Sequence, residues 1–171
     1  MTVASLPAAQ SADPALTARS EAGPPVISFI TLRTAGRACL FGEVVQGNMR
    51  LSELGCLVRA EWLRLGFGRP GVRLHEFVIM PNHFHALVEL TPQPALPHSL
   101  GALVAGFKAG CAVQINHRRQ TPGGAVWQRN YDERIIRDSE MLLAVRRHIE
   151  ENPRRWWDRQ LRNLRSTRAA R

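Results

Sequence analysis

Apolar and polar residues recur along the chain with two spacings, which together predict seven helices and strands. The predicted order is strand, helix, strand, strand, helix, strand and helix, at Val26–Thr34, Ser52–Leu65, Val72–Met80, His83–Leu90, Ser99–Arg118, Ala125–Arg137 and Ser139–Asn152. The last helix is expected to end at Asn152, because Pro153 disfavours helical geometry in the residue before it. This order predicts an α+β fold with a ferredoxin-like antiparallel sheet, helices on one face of it and an additional C-terminal helix.

The pattern also predicts one folded domain between an N-terminal and a C-terminal segment of different composition. Residues 1–25 are rich in Ala, Pro and Ser and are expected to be a disordered lead. The domain is expected to cover residues 26–157, and residues 158–171 to form a basic C-terminal tail. No apolar run approaches the ~20 residues that a membrane-spanning helix needs, so membrane insertion is not expected.

The charge of the chain favours a polyanionic partner. The formal net charge is +9, and Lys108 is the one lysine among 23 basic residues. Basic surfaces gain affinity for nucleic acid by releasing counterions, and arginine adds a planar fork that binds phosphates and bases. The alternative is an arginine bias that only keeps the protein in solution.

Because the 3 cysteines are scattered, they fit neither a disulfide framework nor a CxxC metal site, and a cytoplasmic location is expected.

His83 and His85 are the first candidates for chemistry. Side chains two apart on a strand point to the same face, so both imidazoles should project side by side while Phe84 and Ala86 face the other way. Two imidazoles about 6–7 Å apart along a strand can bind one divalent ion if a third ligand comes from another element. The alternative is one polar histidine at a strand end and a second that is there by chance.

The last predicted helix carries two polar residues that could complete such a site. Val145, His148, Ile149 and Asn152 lie at i, i+3, i+4 and i+7, so they share one face of the helix. Val145 and Ile149 are expected to pack in the core. His148 and Asn152 then either reach the histidine pair or only flank the apolar stripe.

Six short motifs are weak singly and specific in combination. They are Arg37-Ala-Cys-Leu-Phe41, Val78-Ile-Met-Pro-Asn-His-Phe-His85, Gly106-Phe-Lys108, Val126-Trp-Gln-Arg-Asn-Tyr131, Ile135-Ile-Arg137 and Ile149-Glu-Glu-Asn-Pro153. In this order and combination the chain resembles the IS200-like transposases, and especially their branch of REP-associated tyrosine transposases. The resemblance covers about residues 26–157.

The resemblance implies an HUH nuclease, a class named for two histidines around a hydrophobic residue. Such enzymes bind Mg²⁺ or Mn²⁺, and the ligands carried over to this chain are His83, His85 and Asn152. The metal would polarise the scissile phosphate and stabilise charge on the leaving 3′-oxygen. The partner implied is single-stranded or hairpin DNA, and family members occur as monomers and as homodimers.

The chain departs from the family at the nucleophile. The family's tyrosine precedes the Asn-Pro motif by four residues, and this chain has His148 there. Three explanations stay open: loss of catalysis, a histidine nucleophile that forms a labile phosphoramidate, or replacement by another hydroxyl. Tyr131 is the one tyrosine and so the candidate for the third explanation. Its alternative role is packing, or stacking on a base beside Trp127.

Basic side chains that border the expected cleft are candidate DNA contacts, and each could equally be a solvated surface charge; they are Lys108, Arg118, Arg129, Arg134, Arg137, Arg154 and Arg155. The main prediction is therefore a transposase-type enzyme that cleaves and rejoins DNA by metal-assisted transesterification. A non-catalytic DNA-binding protein derived from that fold is the second prediction. A zinc hydrolase of small molecules, with His83, His85 and His148 as ligands, is the third.

Overall fold

The computed structural model describes residues 23–92 and 99–169, the last three of them as backbone alone. Within these ranges the elements are β1 (Val26–Arg33), β2 (Gly42–Val45), β3 (Asn48–Leu51), α1 (Glu53–Gly66), β4 (Val72–Met80), β5 (His83–Leu90), α2 (Leu100–Arg119), β6 (Asp132–Ile135) and α3 (Ser139–Ala169). A short 3-10 turn at Ala35–Arg37 follows β1. All but the last three residues of the lead predicted at 1–25 lie outside the described residues.

Four strands form one antiparallel sheet in the order β4-β5-β1-β6, and β2 pairs with β3 in a separate hairpin. Along the chain, α1 lies between β1 and β4, and α2 connects β5 to β6. The sheet is thus made of two strand-helix-strand units whose first strands, β1 and β5, lie side by side at the centre. This is the ferredoxin-like arrangement that the sequence pattern predicts, so the predicted fold class is confirmed.

Different helices bury the two faces of the sheet. Phe84 and Ala86 of β5 pack with α1 and α2 in the larger core cluster. Leu87 points to the opposite face, where it packs with Val145 and Ile149 of α3. Because residues alternate between faces along a strand, α3 covers the face that carries the odd-numbered residues of β5. The predicted burial of Val145 and Ile149 is confirmed.

Side-chain caps begin the helices at the expected places. The hydroxyls of Ser52 and Ser99 each accept a hydrogen bond from the amide three residues further on, at 3.2 and 3.1 Å. The carboxylate of Asp138 does the same at 2.7 Å, in front of α3. Such caps satisfy amides that have no partner within the helix. The predicted starts of all three helices are therefore confirmed.

α3 continues through Pro153, so the predicted helix end at Asn152 was wrong. Proline biases the residue before it away from helical geometry, but contacts on both sides of the proline outweigh this bias. Ile149 is buried before it, and Trp156 lies half-buried after it with its ring centroid 5.8 Å from that of His83. The basic residues beyond 157 consequently lie on this helix as far as residue 169.

The β2–β3 hairpin has no counterpart among the predicted elements. Gln46 and Gly47 connect its two strands with φ values of 51° and 78°, as in a type I′ turn. Strands of 4 residues place only two side chains on each face, so their alternation is too brief to recognise. The turn lies against α3, since an ideal Cβ on Gly47 would be 3.7 Å from the Cα atom of Arg154.

The extended segment predicted at Ala125–Arg137 is a strand only at Asp132–Ile135. Before this strand, Trp127 makes an isolated β-bridge with Thr34, and its ring packs on that of Phe41 with centroids 5.1 Å apart. Trp127 is therefore a core residue, and it does not form a stacking platform for a base.

Replacing Gly55 with alanine is expected to destabilise the fold. A Cβ atom on Gly55 would lie 2.2 Å from the carbonyl oxygen of Phe41, which accepts a hydrogen bond from the amide of Ser52. Overpacking against such a fixed atom costs about 1–3 kcal/mol. Urea unfolding followed by circular dichroism should show this loss in the free energy of unfolding.

Gly106→Ala is the matched control, because Gly106 is exposed on α2 and no described group lies within 4 Å of an added Cβ atom. This change should leave the free energy of unfolding equal or raise it by about 0.5–1 kcal/mol, since alanine is the better helix former. Equal stabilities of the two variants would contradict the close approach at Gly55.

Candidate functional site

Three imidazole rings meet on the sheet face that α3 covers. His83 and His85 project from this face of β5, with ring centroids 4.7 Å apart. The ring of His148, on α3, lies 5.2 Å from that of His85 between centroids. The strand alternation predicted for the β5 pair is confirmed, and the seating of α3 on the sheet supplies the third ring.

Asn152 lies one turn beyond His148 and completes the cluster. Its side chain is 8% exposed, and its Nδ2 donates a hydrogen bond to His148 Nε2 at 3.2 Å. It also lies close enough to His83, on β5, to raise the pKa of that ring against the larger effect of burial, which lowers it. The structure thus brings together the four residues that the sequence singles out, two from a strand and two from a helix. These contacts disagree with the alternative in which His148 and Asn152 only flank the apolar stripe.

Both histidines of β5 have a polar partner on Nδ1. His83 Nδ1 donates to Asn82 Oδ1 at 2.8 Å, and His85 Nδ1 is hydrogen-bonded to Thr31 Oγ1 at the same distance. Thr31 lies directly opposite His85 in the pairing of β1 with β5. Sequence reasoning missed Thr31 because the register between two strands distant in sequence cannot be read from either one.

Burial keeps the two β5 histidines uncharged. The ring of Phe29 stacks on His85 with centroids 5.2 Å apart, and Trp156 lies beside His83. Loss of solvation is the largest cause that lowers the pKa of His83 to about 4 and the pKa of His85 to about 3. Both rings are therefore neutral at pH 7, and the neutral form is the one that binds a metal ion.

Guanidinium groups surround the cluster. Burial is the largest cause that lowers the pKa of His148, and nearby arginines lower it further, as they do for His83. These arginines are Arg155 and Arg134 for His148, and Arg33, Arg159 and Arg37 for His83. Arg33 is also paired with Asp132 at 2.5 Å. Arg134 and Arg155 were predicted DNA contacts, whereas Arg33 and Arg37 were missed because they come from a part of the chain distant in sequence from the cluster.

Two more of the predicted DNA contacts lie near these groups. Arg137 and Arg134 both line a shallow depression of about 550 Å³ at β6, together with Met141 of α3. Arg154 lies on α3 beside the turn of the β2–β3 hairpin. Arg137 thus lies in the connection between β6 and α3, and Arg154 on α3 itself.

Lys108 and Arg118 make contacts within the fold. Lys108 Nζ donates to the backbone carbonyls of Gln128 and Arg129 at 2.6 and 2.8 Å, and Arg118 forms an ion pair with Glu53. Both basic side chains belong to α2, which packs on the sheet face opposite to α3. The structure therefore does not bring them to the histidine cluster.

Tyr131 is also remote from the histidines. It packs against the core cluster that α1 and α2 form with the sheet, and its hydroxyl lies 3.9 Å from an ideal Cβ on Gly101, in the first turn of α2. The histidine cluster is on the opposite face. A hydroxyl in this place cannot replace the missing one without a rearrangement of the sheet.

A cleft of about 450 Å³ lies beside the cluster, between β6 and α3. Its lining combines an aromatic ring and an imidazole with charges of both signs, from Phe29, His148, Asp132, Glu133 and Arg134. Such a lining offers a stacking surface together with hydrogen-bond donors and acceptors. His148 thus has the β5 histidines on one side and an open cleft on the other.

The donor chemistry of the cluster fits Mn²⁺ or Mg²⁺ through two imidazoles and one amide oxygen. Asn152 directs Nδ2 to His148, which leaves Oδ1 as the amide atom able to coordinate a cation. Oxygen donors suit both ions, and the two imidazoles favour the transition metal. Among the described residues, no three His, Cys, Asp or Glu side chains could hold one metal ion. The predicted zinc site of His83, His85 and His148 was therefore wrong.

None of the helices within the described ranges is both long and apolar enough to span a membrane. The cytoplasmic location and the homodimer stay predictions.

Comparisons with known proteins agree with this architecture. The family model for the IS200-like transposases matches residues 63–152, a stretch that contains β4, β5, α2, β6 and all four residues of the cluster. A protein of Haemophilus influenzae is 36% identical, over 78% of this chain and 83% of its own length. A REP-associated tyrosine transposase, solved bound to a REP hairpin, superposes with a TM-score of 0.57 at 18% identity, over 76% of this chain and 67% of that one. By its sequence and by its fold, the chain belongs to the IS200-like transposase family.

Proposed function

We propose that the chain is a transposase-type protein of the REP-associated branch, which binds single-stranded or hairpin DNA and cleaves it at a metal-assisted site. The observation that carries the proposal is the meeting of His83, His85, His148 and Asn152 under α3. Membership of the IS200-like family and the REP hairpin bound to a structural neighbour support DNA as the substrate.

His83, His85 and the amide oxygen of Asn152 would hold the metal, which when bound supplies charge to polarise the scissile phosphate and to stabilise the leaving 3′-oxygen. The residues are prepared for this role, because the two rings are neutral and Asn152 is buried with its orientation fixed by His148. Mn²⁺ is the better candidate of the two ions on donor chemistry.

Arginines around the cluster would hold the DNA backbone. Arg37, Arg159, Arg134 and Arg155 are close enough to lower the pKa of His83 or His148, so their charges also act on a phosphate bound there. Contacts to phosphate fix the register of a strand without reading its sequence. The net charge of +9 favours binding that weakens as the salt concentration rises.

His148 would act as the nucleophile in place of a tyrosine. Its pKa is lowered, so the ring is neutral at pH 7 and Nε2 can offer its lone pair. Nε2 would form a bond to phosphorus while the bond from phosphorus to the 3′-oxygen breaks, and the leaving oxygen takes a proton from water. A free 3′-hydroxyl would later attack the same phosphorus, and the ring would recover its lone pair.

One contact favours a second function, namely DNA binding without cleavage. His148 Nε2 accepts a hydrogen bond from Asn152, so the attacking lone pair is engaged unless that bond opens. A phosphoramidate is also a more labile link than a tyrosyl ester. In this case the chain would retain the DNA-binding scaffold of its family and lack strand transfer.

The two functions differ in the covalent species that they leave on DNA. Purified full-length protein, Mn²⁺ and a hairpin oligonucleotide labelled at its 3′ end are incubated and separated on a neutral denaturing gel. We expect the wild-type chain to form a labelled adduct that acid treatment removes, as a phosphoramidate requires. His148→Ala should abolish the adduct, and His148→Tyr should give one that survives acid.

His117→Ala is the matched control, because His117 is exposed on α2, outside the cluster. It should form as much adduct as the wild type. Salt-sensitive binding of the hairpin by a wild type that forms no adduct, together with an adduct from His148→Tyr, would establish the second function. No adduct and no hairpin binding by either protein would overturn both.

The pH dependence of Mn²⁺ binding follows from the lowered pKa values of the two histidines. A proton competes with the metal only near the pKa of each ring, which is about 4 for His83 and about 3 for His85. Mn²⁺ affinity, measured from the free-ion signal in electron paramagnetic resonance, should therefore stay level from about pH 7 to about pH 5 and fall below that.

Rings with the ordinary histidine pKa of about 6.5 would behave differently. Each would already lose about tenfold in affinity per pH unit below that value. A decline that begins near pH 6.5 would thus contradict the burial of the pair. His83→Ala serves as the control, and it should bind Mn²⁺ more weakly at every pH.

A further inference from the structure

The side-chain amide of Asn82 has a fixed orientation. Its Nδ2 donates to the carbonyl oxygen of Arg37 at 3.1 Å, and a carbonyl oxygen can only accept. Oδ1 is therefore the atom that faces His83 Nδ1, 2.8 Å away. The backbone of Asn82 is held as well, since its carbonyl oxygen accepts from both the amide and the hydroxyl of Thr34 at 3.0 Å.

This orientation decides which nitrogen of His83 carries the proton. The oxygen of an amide has lone pairs and no hydrogen, so Nδ1 must be the donor in the bond to Asn82. In a neutral ring the other nitrogen, Nε2, then has the lone pair. Asn82 thereby selects the tautomer in which Nε2 can coordinate a cation.

Thr31 occupies the corresponding place on His85. Thr31 is 7% exposed on the neighbouring strand β1, and its hydroxyl lies 2.8 Å from His85 Nδ1. The backbone of Ile30, the residue before Thr31, is also close enough to act on the ring of His85. The second ring is thus held against β1 as the first is held against the turn before β5.

We propose that Asn82 and Thr31 are positioning residues: Asn82 keeps His83 protonated on Nδ1, and Thr31 holds the ring of His85 by its Nδ1, so that both Nε2 atoms are presented to one metal ion. The inference rests on the proposed function, because it concerns the ion that the pair would bind. A partner on the second nitrogen fixes the ring orientation of a metal-binding histidine, and its loss typically costs about 10–100-fold in metal affinity.

The tautomers can be measured in the wild-type chain without metal. Long-range ¹H–¹⁵N correlation spectra distinguish a ring protonated on Nδ1 from one protonated on Nε2. We expect His83 and His85 to be protonated on Nδ1 at neutral pH, and a ring protonated on Nε2 at either position would overturn the proposal for that residue. This result needs no variant and no metal binding.

Substitutions test the effect on the metal. Thr31→Val replaces a buried hydroxyl with a methyl group of similar size, and Asn82→Ala removes the acceptor on His83. Each should weaken Mn²⁺ binding, measured by electron paramagnetic resonance, by about 10–100-fold. Thr31→Ser keeps a hydroxyl at this position and should retain the affinity of the wild type.

The outcomes separate this proposal from the proposed function. If the wild type does not bind Mn²⁺, the metal-assisted site fails, and the tautomers of the metal-free chain still decide whether Asn82 and Thr31 act as inferred. If the wild type binds Mn²⁺ and Thr31→Val and Asn82→Ala bind it equally well, the positioning role is overturned and the metal site stands. A Thr31→Ser variant that binds Mn²⁺ as weakly as Thr31→Val does would also overturn it.

Discussion

The packing of α3 on one face of the sheet is the contact on which the candidate site depends. Val145 and Ile149 bury their side chains against Leu87 of β5. This apolar contact sets the position of α3 on the sheet and the side of the helix that faces it. The polar residues of the same helical stripe then fall over the two histidines of β5. The same apolar contact that stabilises the packing of α3 on the sheet therefore also brings the four polar side chains of the cluster together.

The electrostatics of the cluster divide it into an uncharged interior and a charged rim. The imidazoles inside are desolvated and neutral, whereas guanidinium groups lie around them. A lone cation gains little from such surroundings, since the arginines repel it. A phosphate group offsets that repulsion, and it interacts favourably with the cation and with the arginines alike. A metal ion and a DNA backbone bound together, as we propose, would therefore suit this arrangement better than either alone.

The sequence was most informative where a periodicity extends over a whole element. Alternation along β5 predicted which face receives the histidines, and the helical stripe predicted that His148 and Asn152 share a side of α3. It was least informative where long-range contacts decide the outcome. The continuation of α3 beyond Pro153, the short β2–β3 hairpin and the register that sets Thr31 on His85 all depend on neighbours distant in sequence.

Composition also gave a poor guide to which charged and hydroxyl groups are available. Lys108 is bound to backbone carbonyls on the far side of the sheet, and Tyr131 packs in the larger core, so neither reaches the cluster.

Pro153 is a residue unfavourable to helices that the fold nevertheless retains within α3. Because proline has no N–H to donate to the carbonyl of Ile149, the hydrogen-bond ladder of α3 is interrupted at that step. The bending stiffness of the helix is consequently reduced next to Asn152, between a first half that packs in the core and a second half that contacts His83 through Trp156.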